Sequence, residues 1–315
     1  MAQSEGIAGV DSYVIYKVES TYNTAVTPDA VFGLITNFRS TVKNNMKAHR
    51  GFTGTSEGGR NIVKFTAGKL DVGCDVDFKV QDWSFMEYVM GSISGSDPYD
   101  YDETSKLPSI TISNNIDNPG SSSTDQCETF SGSLINSAVI RTSVGEPVTC
   151  SLEIKSALET IGTSLDSNVS LSTNDVFSFI GGSIEIPDGS QLDNIIDSIE
   201  ITITNNVEIL YGTGSRLGQN GIVHGRDYSI KTTLKYLDND LITKALGAVT
   251  PTDTGGPTEN ATVVLNFASG EKSLEMTFSG VPMEEFAQAS EINNPITDDI
   301  TLTAKSVSFS DDRDE

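Results

Sequence analysis

The chain has 315 residues, of which 37% are hydrophobic, and a formal net charge of −24 at pH 7. This length suits about two domains that each bury a core, while 44 acidic against 20 basic residues argue against a nucleic-acid reader or an anionic-membrane binder. With neither a basic, apolar leader nor a run of about 20 apolar residues, the sequence predicts a soluble protein made in a cytoplasm.

Period-2 alternation of polar and apolar residues dominates the first half of the chain. In one alternating run, Val76 and Phe78 share one face while Asp75 and Asp77 share the other. Strands are predicted at residues 12–19, 61–65, 74–80 and 109–113.

A short helix is predicted at residues 82–90, where Asp82 can cap the first turn and Gly91 can end the last. The polar residues 92–106 that follow are expected to lack strands. Glycine-rich residues 43–59, which precede the helix, predict an extended hairpin; an ordinary loop is the alternative.

The second half carries the same sequence of signals. Ser- and Thr-rich residues predict a linker at 158–175, and glycine-rich residues 210–225 predict a second extended hairpin. A helix is predicted at residues 238–246. Strands are predicted at residues 199–204, 228–236, 262–267, 274–278 and 300–309.

The order of these signals indicates an internal duplication. Residues 78–91 align without a gap on 234–247, and Asn44-Asn45 matches Asn205-Asn206. Phe130-Ser131-Gly132 matches Phe278-Ser279-Gly280. We therefore expect a first β domain at 1–157, a linker at 158–175 and a second β domain at 176–315. The alternative is one large all-β protein with coincidental local similarity.

No catalytic, cofactor or metal site is predicted. His49 and His224 both fall in glycine-rich segments without acidic or Cys partners at ligand spacing. Cys74, Cys127 and Cys150 are widely separated and form no CxxC pair. Paired carboxylates of the glycosidase type remain possible in so acidic a chain, but no pair is singled out.

The segments 72–91 and 226–247 each read as a strand feeding a capped helix that ends in Gly. With residues 210–216, they resemble the major tail tube proteins of tailed bacterial or archaeal viruses, of the duplicated type found in long-tailed phages. The resemblance implies an all-β fold, with two tandem tail-tube-like β-sandwiches or barrels and one short α-helix per unit.

It further implies a structural virion protein, not an enzyme, whose pseudo-hexameric rings of three chains stack around a negatively charged lumen. The expected partners are other copies of the chain, the tape measure protein, and the tail terminator and distal tail proteins. DNA is expected to pass without specific binding. The expected location is the virion tail, after assembly in the host cytoplasm and without a membrane.

Seven residues are candidates for these roles. Acidic side chains expected to face the lumen are Asp75, Asp77 and Asp227. Cations of the two glycine-rich segments, expected to contact the next ring, are Arg50, Arg60, Arg216 and Arg226. Their glycines predict segments that are mobile in the free chain and ordered in the tube.

Two other classes of function remain open from sequence. A distal tail, hub or capsid decoration protein would share the fold without polymerising. A β-rich adhesin or carbohydrate-binding module would need exposed aromatic residues, for which Tyr99 and Tyr101 are the candidates, since Trp83 falls in the predicted helix.

Overall fold

The computed structural model of the chain describes residues 12–51, 62–117, 125–166, 169, 172–186, 190–191, 196–236, 239–252, 259–270, 272–290, 292 and 295–313. Strands make up most of these residues, and a short α-helix occurs in each half. The predicted all-β fold, with a short helix in each half, is therefore confirmed. None of the helices described is long and apolar enough to cross a membrane.

The described part of the first half contains one helix, α1 (Met86–Met90), and eleven strands. The strands are β1 (Ser12–Val18), β2 (Leu34–Lys43), β3 (Lys47–His49), β4 (Lys64–Thr66), β5 (Asp71–Lys79), β6 (Gly91–Gly95), β7 (Tyr99–Glu103), β8 (Ile110–Ile116), β9 (Gln126–Ser143), β10 (Thr149–Ser156) and β11 (Leu158–Gly162).

Among the residues described in the second half are a 3-10 turn at Phe179–Gly181, the helix α2 (Asp240–Leu246) and ten strands. The strands are β12 (Gly182–Ile186), β13 (Ser190–Gln191), β14 (Ile196–Thr204), β15 (Val207–Tyr211), β16 (Gly218–Val223), β17 (Asp227–Lys235), β18 (Glu259–Ser269), β19 (Lys272–Ala289), β20 (Thr297–Ala304) and β21 (Ser306–Asp312).

Three sheets form the body. The central sheet has the order β2–β5–β10–β9–β14–β17–β20–β19. The first flanking sheet is β1–β8–β9–β11, and the second is β13–β12–β18–β19–β21–β7–β6. Strands β9 and β19 each pass from a flanking sheet into the central sheet. Each carries a glycine with positive φ at the crossing, Gly132 (60°) and Gly280 (63°).

Seven antiparallel pairings in the first half have counterparts in the second. In the flanking sheets, β1–β8, β8–β9 and β9–β11 correspond to β12–β18, β18–β19 and β19–β21. In the central sheet, β2–β5, β5–β10 and β10–β9 correspond to β14–β17, β17–β20 and β20–β19. The separate hairpin β3–β4 corresponds to β15–β16. This repetition allows counterpart residues to be compared directly.

Burial follows the alternation of the strands. In β5, Val76 and Phe78 are buried, whereas Asp75 and Asp77 lie on the opposite face. The apolar core continues from one half into the other, since the Trp83 ring lies 5.3 Å from Phe177 and 5.8 Å from Phe267. The two halves therefore share one core.

Several local predictions need correction. Helix α1 starts at Met86 because Asp82 instead accepts a hydrogen bond from the Ser84 amide (3.0 Å) in the preceding turn. Residues 92–106, expected to lack strands, contain most of the β6–β7 hairpin because β21 of the second half provides its pairing edge. The first five residues of the expected linker, 158–162, form β11.

Candidate assembly surfaces

The two halves of the central sheet meet where β14 pairs with β9. Seven residue pairs form this seam, from Ser198 opposite Ser143 to Thr204 opposite Ser137. On the core side, β14 buries Ile199, Ile201 and Ile203. Strand β14 therefore has a partner on both edges within the chain, β17 on one side and β9 on the other.

A buried polar group ends the seam. The Asn205 side-chain amide donates to the carbonyl oxygens of Val89 (2.9 Å) and Ile135 (3.0 Å), and its oxygen accepts from Arg226 Nε (2.7 Å). The Arg226 side chain is only 7% exposed and lies 3.7 Å from the Glu103 carboxylate. These contacts satisfy carbonyl groups that burial would otherwise leave without partners.

The outer edges of the central sheet are β2 and the second half of β19. Neither has a strand partner on its outer side among the residues that the structure describes. Val42 of β2 is 48% exposed, whereas its counterpart Ile203 of β14 is 0% exposed. An unpaired, partly apolar edge of this length can accept another strand.

The segment from Asn205 to Arg226, which we call the second arm, packs on the first half of the chain. The Lys155 ammonium donates to the Val207 carbonyl (2.7 Å), and the Leu70 amide donates to the Arg216 carbonyl (2.8 Å). The Tyr211 hydroxyl lies 2.9 Å from the Leu70 carbonyl oxygen. A small apolar cluster beneath the arm contains Leu107, Leu134 and Val207.

Two glycines of the second arm permit this close packing. A Cβ at Gly218 would lie 2.6 Å from Ile209 Cγ2 and 3.0 Å from Ala157 Cα. A Cβ at Gly221 would lie 2.2 Å from Leu134 Cδ1. These glycines permit close contact with the first half, whereas their number alone predicts a mobile segment.

The segment from Asn44 to Leu70, which we call the first arm, is described only in part. Its strands β3 and β4 pair over three residues, all exposed, and residues 52–61 lie outside the described part. Arg50 is exposed, while Arg60 falls outside the described residues.

Both arms begin with the same turn. Asn45 and Asn206 have positive φ (41° and 49°), a conformation that Asn tolerates well. The Asn45 amide donates to Asp71 Oδ2 (2.7 Å), and the Asn206 amide donates to Asp227 Oδ2 (2.8 Å). The candidate residue Asp227 therefore holds the base of the second arm.

Hydrogen bonds lower the pKa of Asp71, the acid at the base of the first arm. Burial acts to raise the pKa of Asp71, but bonds from Tyr211, Asn45 and Lys69 outweigh it and hold the pKa below its ordinary value. Burial also raises the pKa of the neighbouring Asp75, an effect that Arg39 reduces. The Asp71 charge thus stabilises the contact between the two arms.

The face of the central sheet opposite the core is polar and of mixed charge. Asp75 and Asp77 lie on it, and Ser and Thr occupy many of the remaining positions. Among the described residues of its eight strands, seven cations stand among ten carboxylates. The cations are Arg39, Lys43, Lys79, Arg141, Lys155, Lys231 and Lys235, and the acids are Asp71, Asp75, Asp77, Glu153, Asp197, Glu200, Asp227, Glu284, Glu285 and Asp299.

No group of three or more His, Cys, Asp or Glu side chains in the described part of the chain is arranged to hold a metal ion. The sequence model of the phage tail tube protein family matches residues 9–309. The chain belongs to the phage tail tube proteins. Comparison with curated proteins finds no match.

Tail tube proteins are structural components of the virion tail that self-assemble into a tube. The resemblance expected from residues 72–91 and 226–247 is thus confirmed at the level of the family. In a tail tube protein, the open edges of the central sheet and the two arms are the candidate surfaces for contacts between copies.

The three candidate cations that the structure describes do not form one group. The Arg216 guanidinium donates to Asn44 of the first arm on an exposed surface, and Arg50 is exposed. Arg226 is buried at the seam, so we do not retain it as a ring contact. Sequence reasoning missed the seam itself, although the paired Asn44-Asn45 and Asn205-Asn206 motifs mark where each arm begins.

Proposed function

We propose that this tail tube protein forms rings of three chains, in which β19 of one copy pairs with β2 of the next. The β9–β14 seam supports this proposal, because β9 corresponds to β19 and β14 corresponds to β2. Repeating the seam between chains fills both open edges. No edge of the central sheet is then left unpaired.

The counterpart positions give a register for the proposed contact. Ser137 opposite Thr204 corresponds to Glu285 opposite Lys43, and Ala138 opposite Ile203 corresponds to Phe286 opposite Val42. The first pair places opposite charges together, and the second places two apolar side chains on the core face. Both combinations stabilise adjacent strands.

The polar end of the seam has a counterpart as well. Asn44 is exposed and corresponds to the buried Asn205. In the ring its side chain would donate to the carbonyls of Ala245 and Met283 in the next copy, as Asn205 does to Val89 and Ile135. On this proposal, Asn44 caps the contact between two chains as Asn205 caps the seam within one chain.

Three chains supply 24 strands to one closed sheet. At a spacing of about 4.8 Å, the circumference is about 115 Å and the backbone diameter about 37 Å before strand tilt, which leaves room for a DNA duplex. The flanking sheets cover the core face, so the polar face lines the bore. Its Ser and Thr hydroxyls and small acidic excess let DNA pass without specific binding.

Rings then stack through head-to-tail contacts, which do not close and therefore produce a tube. The arms lie at one end of the central sheet and are placed for this contact, with Arg50 and Arg216 as candidate charges. The tape measure protein and the tail terminator and distal tail proteins are the proposed further partners. Assembly takes place in the host cytoplasm, and the protein catalyses no reaction.

Two proline variants of β2 test the closed ring. Successive amides of a strand point to opposite edges, so one of Ser40→Pro and Thr41→Pro removes an outward donor and the other a bond to β5. The variant that removes the outward donor should fold normally and form no tubes by cryo-electron microscopy. The variant that removes the bond to β5 should lower the stability of the free chain. Normal tubes from both folded variants would contradict the proposal.

A charge exchange tests the register. Lys43→Glu and Glu285→Lys should each raise the concentration needed for assembly, because like charges then face each other across the contact. The double variant should restore assembly towards the wild-type concentration. A double variant no better than either single variant would show that these two residues are not opposite each other. Electron micrographs of wild-type rings should show three chains.

A further inference from the structure

The β6–β7 hairpin crosses from the first half of the chain to the second. Tyr101 pairs with Phe309 of β21, and Tyr99 pairs with Asp311. The Tyr101 ring meets Phe309 edge to face with centroids 6.5 Å apart, and Phe309 is only 2% exposed. The hairpin thus covers an edge that would otherwise expose an aromatic ring.

The counterpart edge in the first half is β11. Ile161 pairs with Glu128 as Phe309 pairs with Met276, which makes Ile161 the counterpart of Phe309. Ile161 is 71% exposed, and β11 has no strand on its outer side within the described residues. The same position is therefore covered in one half and open in the other.

The counterpart of β6 is the segment after α2. Gly247 ends α2 as Gly91 ends α1, and both have positive φ. Two residues later, Ile93 packs against the core and pairs with Tyr101, whereas its counterpart Val249 is 85% exposed. In the first half, β6 reaches β21 only through β7. Residues 247–252 form no strand, so the segment after α2 itself presents an exposed aliphatic side chain.

We infer that residues 247–252 of one copy lie along the β11 edge of the next copy, with Val249 packed on Ile161. The hairpin β6–β7 reaches from a first half to the second half beside it, and the same direction carries residues 247–252 onto the first half of the next chain. This inference rests on the proposed ring. The partner is a second copy of the chain, because in the proposed ring the first half that lies beside a second half across the β19–β2 contact belongs to the next chain.

Engineered cysteines test the contact. Val249→Cys combined with Ile161→Cys should form disulfides between chains in assembled tubes, giving covalent species of up to three chains on non-reducing gels. The dispersed monomer should give none. The control pairs Val249→Cys with Val18→Cys, since Val18 lies on β1 at the opposite edge of the same flanking sheet. Native Cys74, Cys127 and Cys150 are buried.

A single substitution measures the effect on assembly. Ile161→Glu should raise the concentration needed for tube formation severalfold and leave the unfolding of the monomer unchanged, whereas Val18→Glu should leave assembly unchanged. Tubes that form without cross-linking and without an effect of Ile161→Glu would overturn this contact while retaining the ring. Failure of the wild-type chain to form rings would overturn both.

Discussion

The first and second arms start from the same Asn-to-Asp turn but have different surroundings. The second arm rests on the first half of its own chain, with Lys155, Leu70 and Tyr211 bound across the contact. Among its described residues, the first arm contacts the second arm at Asn44 and Leu70, while its short strands β3 and β4 are exposed. What differs between them is the adjacent unit, which the chain supplies to one arm and, on our proposal, a second copy supplies to the other.

The comparison predicts the largest difference at Asn205 and Asn44. Asn205→Ala should lower the free energy of unfolding of the isolated chain by about 2–4 kcal/mol, because two buried carbonyls and Arg226 lose a partner. Asn44→Ala should change it by less than about 0.5 kcal/mol. Chemical denaturation of both variants measures the difference, and equal losses would contradict it.

A smaller effect is expected from Gly218→Ala. Its Cβ would contact Ile209 and the Ala157 backbone, so the second arm should lose about 1–3 kcal/mol of its packing free energy. Gly212→Ala is the matched control, since its nearest neighbour would be 3.7 Å away. Hydrogen exchange of amides 207–223 should increase for Gly218→Ala alone. Unchanged exchange would mean that the arm is held elsewhere.

Tyr211→Phe should weaken the same contact by about 1 kcal/mol, because its hydroxyl is shared between the Leu70 carbonyl and Asp71. The Leu70 amide, which donates to Arg216, reports the loss through faster hydrogen exchange. Tyr236→Phe, whose hydroxyl donates to Asn239 close by in sequence, serves as the control.

The smallest expected effect is on pH dependence. Because the folded pKa of Asp71 lies below its ordinary value of 3.8, its contribution is complete above that pH and is lost as the pH falls through the folded pKa. The Leu70 amide of the wild-type chain should therefore shift below about pH 4 in NMR titrations. Asp71→Asn should lack this shift, and an identical shift in the variant would assign it to another acid.

Alternation predicted the strands whose two faces differ. The runs at residues 74–80 and 228–236 fall on β5 and β17, and Asp75 and Asp77 lie on the polar face as expected. Strand β2 escaped prediction because a register shift between Ile35 and Asn37 breaks the period. The β6–β7 hairpin escaped because its partner, β21, lies about two hundred residues further along the chain.

The candidate surfaces were less accessible from sequence. The Asn-Asn matches coincide with the turns at Asn45 and Asn206, so the pattern located the arms correctly. The burial of Asn205 and Arg226 depends on contacts with α1 and β9, which no local pattern encodes. Counterpart residues with different burial, such as Ile203 and Val42, become informative only when the pairing is known.

Strands β9 and β19 each contain 18 residues and belong to two sheets at once. Their peptide backbone joins a flanking sheet to the central sheet, with a bend at Gly132 or Gly280. In the proposed ring of three chains, the inner and outer walls would be covalently continuous at six places. Shear between the walls would have to deform these strands, so the tube should resist bending as a single thick-walled cylinder.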